Sequence, residues 1–400
     1  MKKIFKPTFA VLTIFVINIC MIAGYYSVNL PDSFYVSKET GLSLSTRFSI
    51  SAQKDGAVAS FAGEISPSVE TATLKLFGVV PIKDVELHTV ETPVLVPGGN
   101  PFGIKLLMEG VMVVGMGEIK TGSGMECPAS ECGIEEGDVI LSIDGQKLSS
   151  NSDITRIVSR SEGKPLEIVY TDNGKEKVSM ITPVYSVSEC CYKAGVWVRD
   201  STAGIGTVTF YEPETDRFAG LGHPVCDSDT GEIVPISSGE AAQVEITGVI
   251  KGKSGEPGEL KGSFISRRTS GVIRTNNKYG VFGELFSGVP QSEGIPMALR
   301  QEVKTGKASI YTTIDESGPH EYEIEIEKID CKSNDTKNMT IKVTDSRLLE
   351  KTGGIVQGMS GSPIIQNGKL VGAVTHVFVS DPQRGYGIFA ENMYESGLTG

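Results

Sequence analysis

Residues 358–363 read Gly-Met-Ser-Gly-Ser-Pro, and a short apolar run, the turn Asn367-Gly368 and a strand-like apolar run follow them. This order places a serine on a glycine turn directly before a predicted β-hairpin. The glycines let the backbone curl, so we expect the N–H groups of Gly358 and Ser360 to converge beside the serine hydroxyl as an oxyanion hole. Ser360 is therefore the candidate nucleophile.

This stretch has two alternative interpretations. A Gly-x-Ser-x-Gly nucleophile elbow is excluded because Ser362 stands where the second glycine would be. Small residues that only shape the entry to a hairpin explain the six residues equally well when they are taken alone. The assignment of Ser360 as nucleophile therefore needs a candidate general base elsewhere in the chain.

The chain has four histidines, and an imidazole is the side chain best suited to take a proton from a serine at neutral pH. His88 and His320 lie in stretches that favour surface positions. His223 lies in Gly-Leu-Gly-His-Pro, a constrained turn before an acidic loop, and is the best candidate base. A surface histidine in a turn is the alternative interpretation.

A carboxylate that orients the imidazole is the expected third member of such a site. Asp345 follows a strand-like run fifteen residues before Ser360, whereas Asp227 and Asp229 are close to His223 in the chain. Spacing leaves all three aspartates open, and an aspartate after a strand is commonly a turn or cap residue.

Length and composition predict two or three domains with a β-rich fold, since the chain has 400 residues and 47 glycines. The formal net charge of -12 argues against nucleic acid as a partner. The breaker cluster at 97–101 predicts a domain boundary. Residues 27–97 are expected to form an extracytoplasmic region whose role the sequence leaves open.

The amino terminus predicts a membrane anchor over residues 1–26. Lys2, Lys3 and Lys6 precede an almost purely apolar run over 9–23. The poor small-residue cleavage site after it favours an uncleaved signal anchor, with the rest of the chain exported. Seven cysteines permit disulfides in such a compartment, and a Cys127–Cys132 link is sterically plausible. The isolated histidines argue against a zinc site, and neither a metal nor another cofactor is expected.

The segment 133–145, Gly-Ile-Glu-Glu-Gly-Asp-Val-Ile-Leu-Ser-Ile-Asp-Gly, resembles the turn, strand and Asp-Gly hairpin of PDZ domains. A short helix with Ile154, Ile157 and Val158 on one face is predicted next, then a hairpin turning at 172–174. We place the PDZ domain at 98–185. Phe102, Gly103 and Ile104 resemble the loop that binds the carboxylate of a peptide ligand, which would add as a strand.

Residues 186–400 are rich in glycine and in short strand-like runs, which favours packed or closed antiparallel β structure. Together with the serine turn, this resembles the β-barrels of trypsin-like peptidases. The predicted fold class is mainly β with few helices: an anchor, a PDZ domain and an antiparallel β-barrel serine peptidase domain.

Three segments together with the anchor and the single PDZ domain carry a closer resemblance. Residues 204–213 read GIGTVTFYEP, 221–223 read LGH and 353–369 read GGIVQGMSGSPIIQNGK. The chain is similar in these to the stage IV sporulation protein B family of PDZ-containing serine peptidases. The resemblance implies His223 as general base, Asp345 as its orienting carboxylate and Ser360 as nucleophile.

The resemblance also implies a role in signalling during sporulation. Such a protein is anchored in the forespore membrane, faces the intermembrane space and is released by self-cleavage. It cuts a membrane-bound regulator of an intramembrane metalloprotease, which then processes the precursor of the late mother-cell sigma factor. The expected partners are the chain itself, that regulator and a peptide ligand of the PDZ domain.

His376, on the strand after the serine, is a candidate residue of the specificity pocket, although a plain strand histidine is the simpler interpretation. Two other functions stay open. An envelope quality-control peptidase also joins a serine peptidase to PDZ domains, but in the reverse order. An exported PDZ scaffold without activity is the non-enzymatic alternative.

Overall fold

The computed structural model describes residues 5–37, 42, 44, 46–54, 69–333 and 335–398. Helix α1 (Phe5–Asn29) leads into a four-stranded sheet of β1 (Ser33–Ser37), β2 (Ile50–Lys54), β3 (Val69–Leu76) and β4 (Val80–Val90), in the order β1-β4-β3-β2. The window Leu12–Asn29 of α1 is long and apolar enough to cross a membrane, a test that a signal sequence also passes. Much of the expected region 27–97 is therefore one small sheet, with Phe34, Leu74 and Leu87 in its core.

The next part of the chain forms short elements around one long strand. They are β5 (Val94–Pro97), β6 (Pro101–Met116), β7 (Ile119–Lys120), β8 (Met125–Glu126), α2 (Pro128–Glu131), β9 (Val139–Ile143), β10 (Gln146–Lys147), α3 (Asn151–Ser159), β11 (Leu166–Asp172), β12 (Lys175–Ile181), β13 (Val184–Ser186) and β14 (Cys191–Lys193). The predicted helix is α3, which buries Ile154, Ile157 and Val158. The predicted hairpin is β11–β12, whose register pairs Asp172 with Lys175.

Six strands then form a first barrel. The new ones are β15 (Val196–Glu212), β16 (Arg217–Gly220), β17 (Ile236–Ile250), β18 (Glu259–Asn277) and β19 (Gly280–Leu285). They follow the order β6-β17-β18-β19-β16-β15, and β15 pairs back onto β6 to complete the ring. Its core includes Ile104, Leu106, Val208, Phe218 and Ile273.

A second barrel completes the chain. The elements of this part of the chain, in order, are β20 (Ile295–Pro296), a 3-10 helix (Arg300–Glu302), β21 (Gly306–Thr313), β22 (Pro319–Ile329), β23 (Met339–Val343), α4 (Ser346–Thr352), β24 (Pro363–Gln366), β25 (Lys369–Phe378), β26 (Asp381–Phe389) and α5 (Ala390–Leu398). Of these, β21 to β26 form the barrel, and the others flank it. Strands β21-β22-β23-β26-β25-β24 close on themselves around Ile310, Ile324, Ile341 and Val374. The prediction of a mainly β chain with antiparallel barrels is confirmed.

The two barrels meet through a shared apolar cluster. Phe210, Ala219 and Phe282 of the first barrel pack with Ala373 and Ile388 of the second. The segment after β16 and the segment before β24 therefore face the same junction. These segments carry His223 and Ser360.

Candidate active site

The serine turn lies between α4 and β24 and depends on two glycines with positive φ, Gly358 (96°) and Gly361 (97°). A Cβ added to Gly361 would lie 1.9 Å from the carbonyl oxygen of Thr207 and 2.5 Å from the backbone nitrogen of Leu221. No side chain fits in that space, so the glycine lets the second barrel's turn touch the first barrel's backbone. Ser360 is held at this contact.

The N–H groups of Gly358 and Ser360, the expected oxyanion donors, make no hydrogen bond within the described residues. The carbonyls of their peptide units are occupied. Gln357 O accepts from Leu260 N at 2.8 Å, and Met359 O accepts from Ser362 N at 2.9 Å and from Ser362 Oγ at 2.7 Å. Because a peptide unit is planar and trans, fixing each carbonyl also fixes the direction of its N–H. Both donors are therefore oriented and available.

His223 lies three residues after the end of β16, on a turn in which Leu221 and Gly222 have φ values of 68° and 70°. Its Nδ1 lies 2.8 Å from the carbonyl oxygen of Pro224. A carbonyl only accepts, so this bond places the ring proton on Nδ1 and leaves Nε2 as the free acceptor. Burial of the ring lowers the pKa of His223 below its ordinary value. The imidazole is thus a neutral base at neutral pH.

A short chain of contacts connects the serine to this imidazole. Ser360 Oγ donates to the carbonyl oxygen of Thr375 at 2.7 Å, and His376 is the next residue. The rings of His376 and His223 lie 4.8 Å apart between centroids, at 39°. Thr375 and His376 fall where the β25–β26 register shifts, an irregularity that can redirect side chains at a site. The structure therefore brings Ser360, His223 and His376 together.

Ser360 and His223 make no mutual hydrogen bond among the described residues. The Ser360 hydroxyl donates to Thr375 O, so this bond would have to break before the hydroxyl could donate to Nε2 of His223. Apo geometry of this kind is common for catalytic hydrogen bonds that tighten on substrate binding.

Asp345 lies away from this cluster of contacts. Its buried carboxylate caps α4 by accepting from Arg347 N at 2.9 Å, and it pairs with the Arg347 guanidinium at 2.7 Å. It also accepts from Glu323 N at 3.3 Å. The Arg347 side chain lowers the pKa of Asp345 to about 2. The structure does not bring Asp345 to His223, and its role as orienting carboxylate stays a prediction.

The two alternative aspartates are also occupied elsewhere. Asp227 is fully buried and pairs with Arg199, while its other oxygen accepts the N–H groups of Asp229 and Thr230 at 3.0 and 3.1 Å. Asp229 pairs with Arg199 at 2.6 Å. The group that contacts the His223 imidazole through Nδ1 is the Pro224 carbonyl rather than a carboxylate.

Sequence reasoning missed Asn276, which holds the loop after His223. Its Oδ1 accepts from Val225 N at 2.8 Å, and its Nδ2 donates to Val225 O at 2.9 Å and to Val234 O at 3.0 Å. No local signal marks Asn276, because its partners are more than forty residues away in the chain. It fixes the peptide next to Pro224 and hence the carbonyl that orients His223.

The predicted PDZ ligand loop is wrong. Phe102, Gly103 and Ile104 lie inside β6, paired with β15 on one side and β17 on the other, and Phe102 and Ile104 are buried. The aromatic ring of Phe264 occupies the space where a side chain on Gly103 would be. Long-range strand pairing overrides the loop-like Pro-Phe-Gly sequence, so these residues belong to the first barrel's core.

The second half of β6 belongs to the part of the sheet that packs against α3. Val111 and Met112 pair with β9, and residues 112–116 pair with 196–199 of β15. The start of β15 thus occupies one edge of this part of β6. A cavity of about 370 Å³ remains beside it, between α3 and residues 117–120.

A family model described as SpoIVB peptidase S55 matches residues 190–394, just over half of the chain. The chain belongs to the SpoIVB peptidase S55 family. A second model, described as PDZ domain, matches residues 123–171. The predicted family is confirmed, and the chain is a PDZ-containing serine peptidase. The wider boundaries expected for the domains, 98–185 and 186–400, stay predictions.

Similar proteins cover parts of the chain. "Probable protease eep" of Enterococcus faecalis is 45% identical over 56 residues, 14% of this chain, and the match spans only 13% of that relative's length. The inactive and active forms of the Rv3671c protease of M. tuberculosis are 13% and 16% identical, with TM-scores of 0.29 and 0.28. Those matches cover 48% and 49% of this chain and 81% and 73% of the respective structures.

The PDZ domain of the SdrC-like protein of Listeria monocytogenes is 23% identical, with a TM-score of 0.18. The match covers 22% of this chain and 87% of that structure. At TM-scores this low, none of the structural likenesses bears on function.

Asp345→Asn should reduce stability in a pH-dependent way. The carboxylate's pKa is lowered in the folded state, so its contribution is complete above the unfolded value of about 4 and is lost as the pH falls toward 2. In urea denaturation at pH 6, we expect the free energy of unfolding of the variant to be about 1 kcal/mol below that of the wild type. At pH 3 this difference in free energy of unfolding should be smaller. Glu350→Gln in the same helix is the control, and an equally pH-dependent loss there would contradict the assignment.

The base should remain active at unusually low pH. Because the pKa of His223 is lowered, its neutral form persists below the ordinary histidine value of about 6.5. The rate of Ser360 labelling by an alkyl fluorophosphonate should therefore be half-maximal below pH 6.5. A midpoint at or above that value would contradict the burial argument. Ser360→Ala provides the unlabelled control.

Proposed function

We propose that the chain is a membrane-anchored sporulation signalling endopeptidase that cleaves through Ser360 and His223. The single observation that carries the proposal is the contact of the serine turn with the His223 turn at the junction of the two barrels. Ser360 and His223 are 137 residues apart in the chain. Yet Ser360 bonds to Thr375, and the ring of the next residue, His376, contacts the His223 ring at a tilt of 39°.

The proposed chemistry is acyl transfer. Ser360 Oγ attacks the scissile carbonyl carbon while His223 Nε2 takes the hydroxyl proton, and the carbonyl oxygen becomes an oxyanion. The N–H groups of Gly358 and Ser360 would donate to that oxyanion. His223 then gives the proton to the leaving amine as the C–N bond breaks, and water hydrolyses the acyl-enzyme by the reverse sequence of proton transfers.

The orienting group of the base has two candidates in this proposal. The Pro224 carbonyl already accepts the Nδ1 proton and sets the tautomer that the reaction needs. The family resemblance assigns this role to Asp345. For Asp345 to take it, the carboxylate would have to leave Arg347 and replace the Pro224 carbonyl at Nδ1.

The proposed biological role comes from the family resemblance. Helix α1 would anchor the chain in the forespore membrane, with the PDZ and peptidase parts in the space facing the mother cell. The peptidase would release itself by self-cleavage and cut a membrane-bound regulator of an intramembrane metalloprotease, so that the sigma factor precursor is processed. The PDZ match precedes the peptidase match, the reverse of the order in the quality-control alternative.

Ser360→Ala separates the peptidase from the scaffold alternative. The full-length chain, purified in detergent as wild type and as this variant, should yield self-generated fragments by mass spectrometry only from the wild type. Removal of a catalytic serine costs several orders of magnitude in rate, so fragments should be absent from the variant. Equal fragmentation of both samples would contradict the nucleophile assignment.

His376 is proposed to contact the substrate side chain next to the scissile bond, since its exposed ring lies against His223. His376→Leu should shift the preferred residue in a peptide library from polar to apolar side chains, because the imidazole donor and acceptor are lost. Fluorophosphonate labelling of Ser360 should stay within about threefold of the wild type. Loss of labelling, or an unchanged library profile, would contradict the specificity role.

A further inference from the structure

Thr207 lies on β15, is 1% exposed and contacts both turns of the candidate site. We propose that Thr207 is a positioning residue that holds the nucleophile turn against the base turn. The inference rests on the proposed function, because it presumes that Ser360 and His223 react together. It adds a requirement for a hydroxyl that is in neither the serine motif nor the histidine motif.

The contacts with the nucleophile turn come from two atoms of Thr207. Its backbone N–H donates to Ser360 O at 3.0 Å, and its Oγ1 donates to Gly358 O at 2.8 Å. These two carbonyls flank Met359, so a single residue fixes both ends of the three-residue turn. The turn's third carbonyl, that of Met359, is held by Ser362.

The contact with the base turn comes from the Thr207 carbonyl. It accepts from Leu221 N at 3.2 Å, two residues before His223. The same carbonyl oxygen is the atom that a Cβ on Gly361 would meet at 1.9 Å. A shift of β15 at Thr207 would therefore move the serine turn and the histidine turn relative to each other.

The side-chain bond is the part that a substitution can remove. The Gly358 carbonyl is held by Oγ1, and Gly358 also carries one of the two proposed oxyanion donors. Without the hydroxyl, that partly buried carbonyl loses its side-chain partner, while the backbone bonds to the other carbonyls of the turn remain. We expect the loss to affect the reacting geometry more than the affinity for substrate.

β15 also provides a matched control. Thr209, two residues along the same strand, is fully buried, and its Oγ1 has no hydrogen-bond partner among the described residues. Thr207→Val and Thr209→Val make the same chemical change in the same strand. Only the first removes a hydrogen bond to the nucleophile turn.

The experiment measures alkyl fluorophosphonate labelling of the full-length chain in detergent for the wild type and the Thr207→Val, Thr207→Ser and Thr209→Val variants. In this reaction Ser360 Oγ bonds to phosphorus, fluoride leaves and His223 takes the proton. Thr207→Val should lower the limiting rate constant about tenfold to a hundredfold with an unchanged half-saturating probe concentration. Thr207→Ser keeps the donor and should stay within about threefold, and Thr209→Val should match the wild type.

Several outcomes would overturn the inference. Wild-type labelling by Thr207→Val would show that the hydroxyl is dispensable. If Thr207→Val and Thr209→Val lost labelling rate equally, or if Thr207→Ser did not restore it, the effect would come from packing rather than from the hydrogen bond. Should Thr207→Val lack a cooperative thermal transition, Thr207→Cys replaces it, with an intermediate loss expected from its weaker donor. Failure of the wild type itself to react would overturn the proposed function, a result distinct from all of these.

Discussion

The approach of two backbones at Gly361 is the constraint on which the site depends. The carbonyl of Thr207 and the N–H of Leu221 occupy the space that any side chain at this position would need. A glycine with φ of 97° satisfies the steric requirement and the dihedral requirement together. This contact is between main chains. The packing of the barrels therefore places the serine turn of one barrel against the histidine turn of the other, independently of any hydrogen bond between the catalytic side chains.

Strand β15 connects this contact to the PDZ part of the molecule. Its first residues pair with 112–116 of β6, beside α3, and its later residues pair with β16 and carry Thr207 to the site. The N–H and C=O groups along that side of β6 are thus satisfied by the chain itself. An extended peptide adding at the same edge would compete for the same main-chain groups, since strand addition uses them for its affinity.

The charges around the site follow from burial and from local partners. His223 is neutral and tied through Nδ1 to a carbonyl, which sets the tautomer but adds no negative charge to stabilise the imidazolium formed during reaction. The three candidate carboxylates have other partners: Asp345 pairs with Arg347, and Asp227 and Asp229 pair with Arg199. The arrangement therefore holds a base that is oriented and uncharged, with no carboxylate contact in the described part of the chain.

Local chemistry in the sequence was enough to predict the helix with Ile154 and Ile157, the hairpin at Asn173 and Gly174, and the serine turn, because turn and periodicity signals act over a few residues. The resemblance carried by the segments around His223 and Ser360 was enough for the family. The tertiary structure alone decided that Phe102 to Ile104 are barrel strand rather than loop, and that Thr207 and Asn276 hold the two turns. These outcomes depend on partners as far as 151 residues away in the chain. Which residues meet across such distances is set by barrel closure and packing, and no spacing along the chain encodes it.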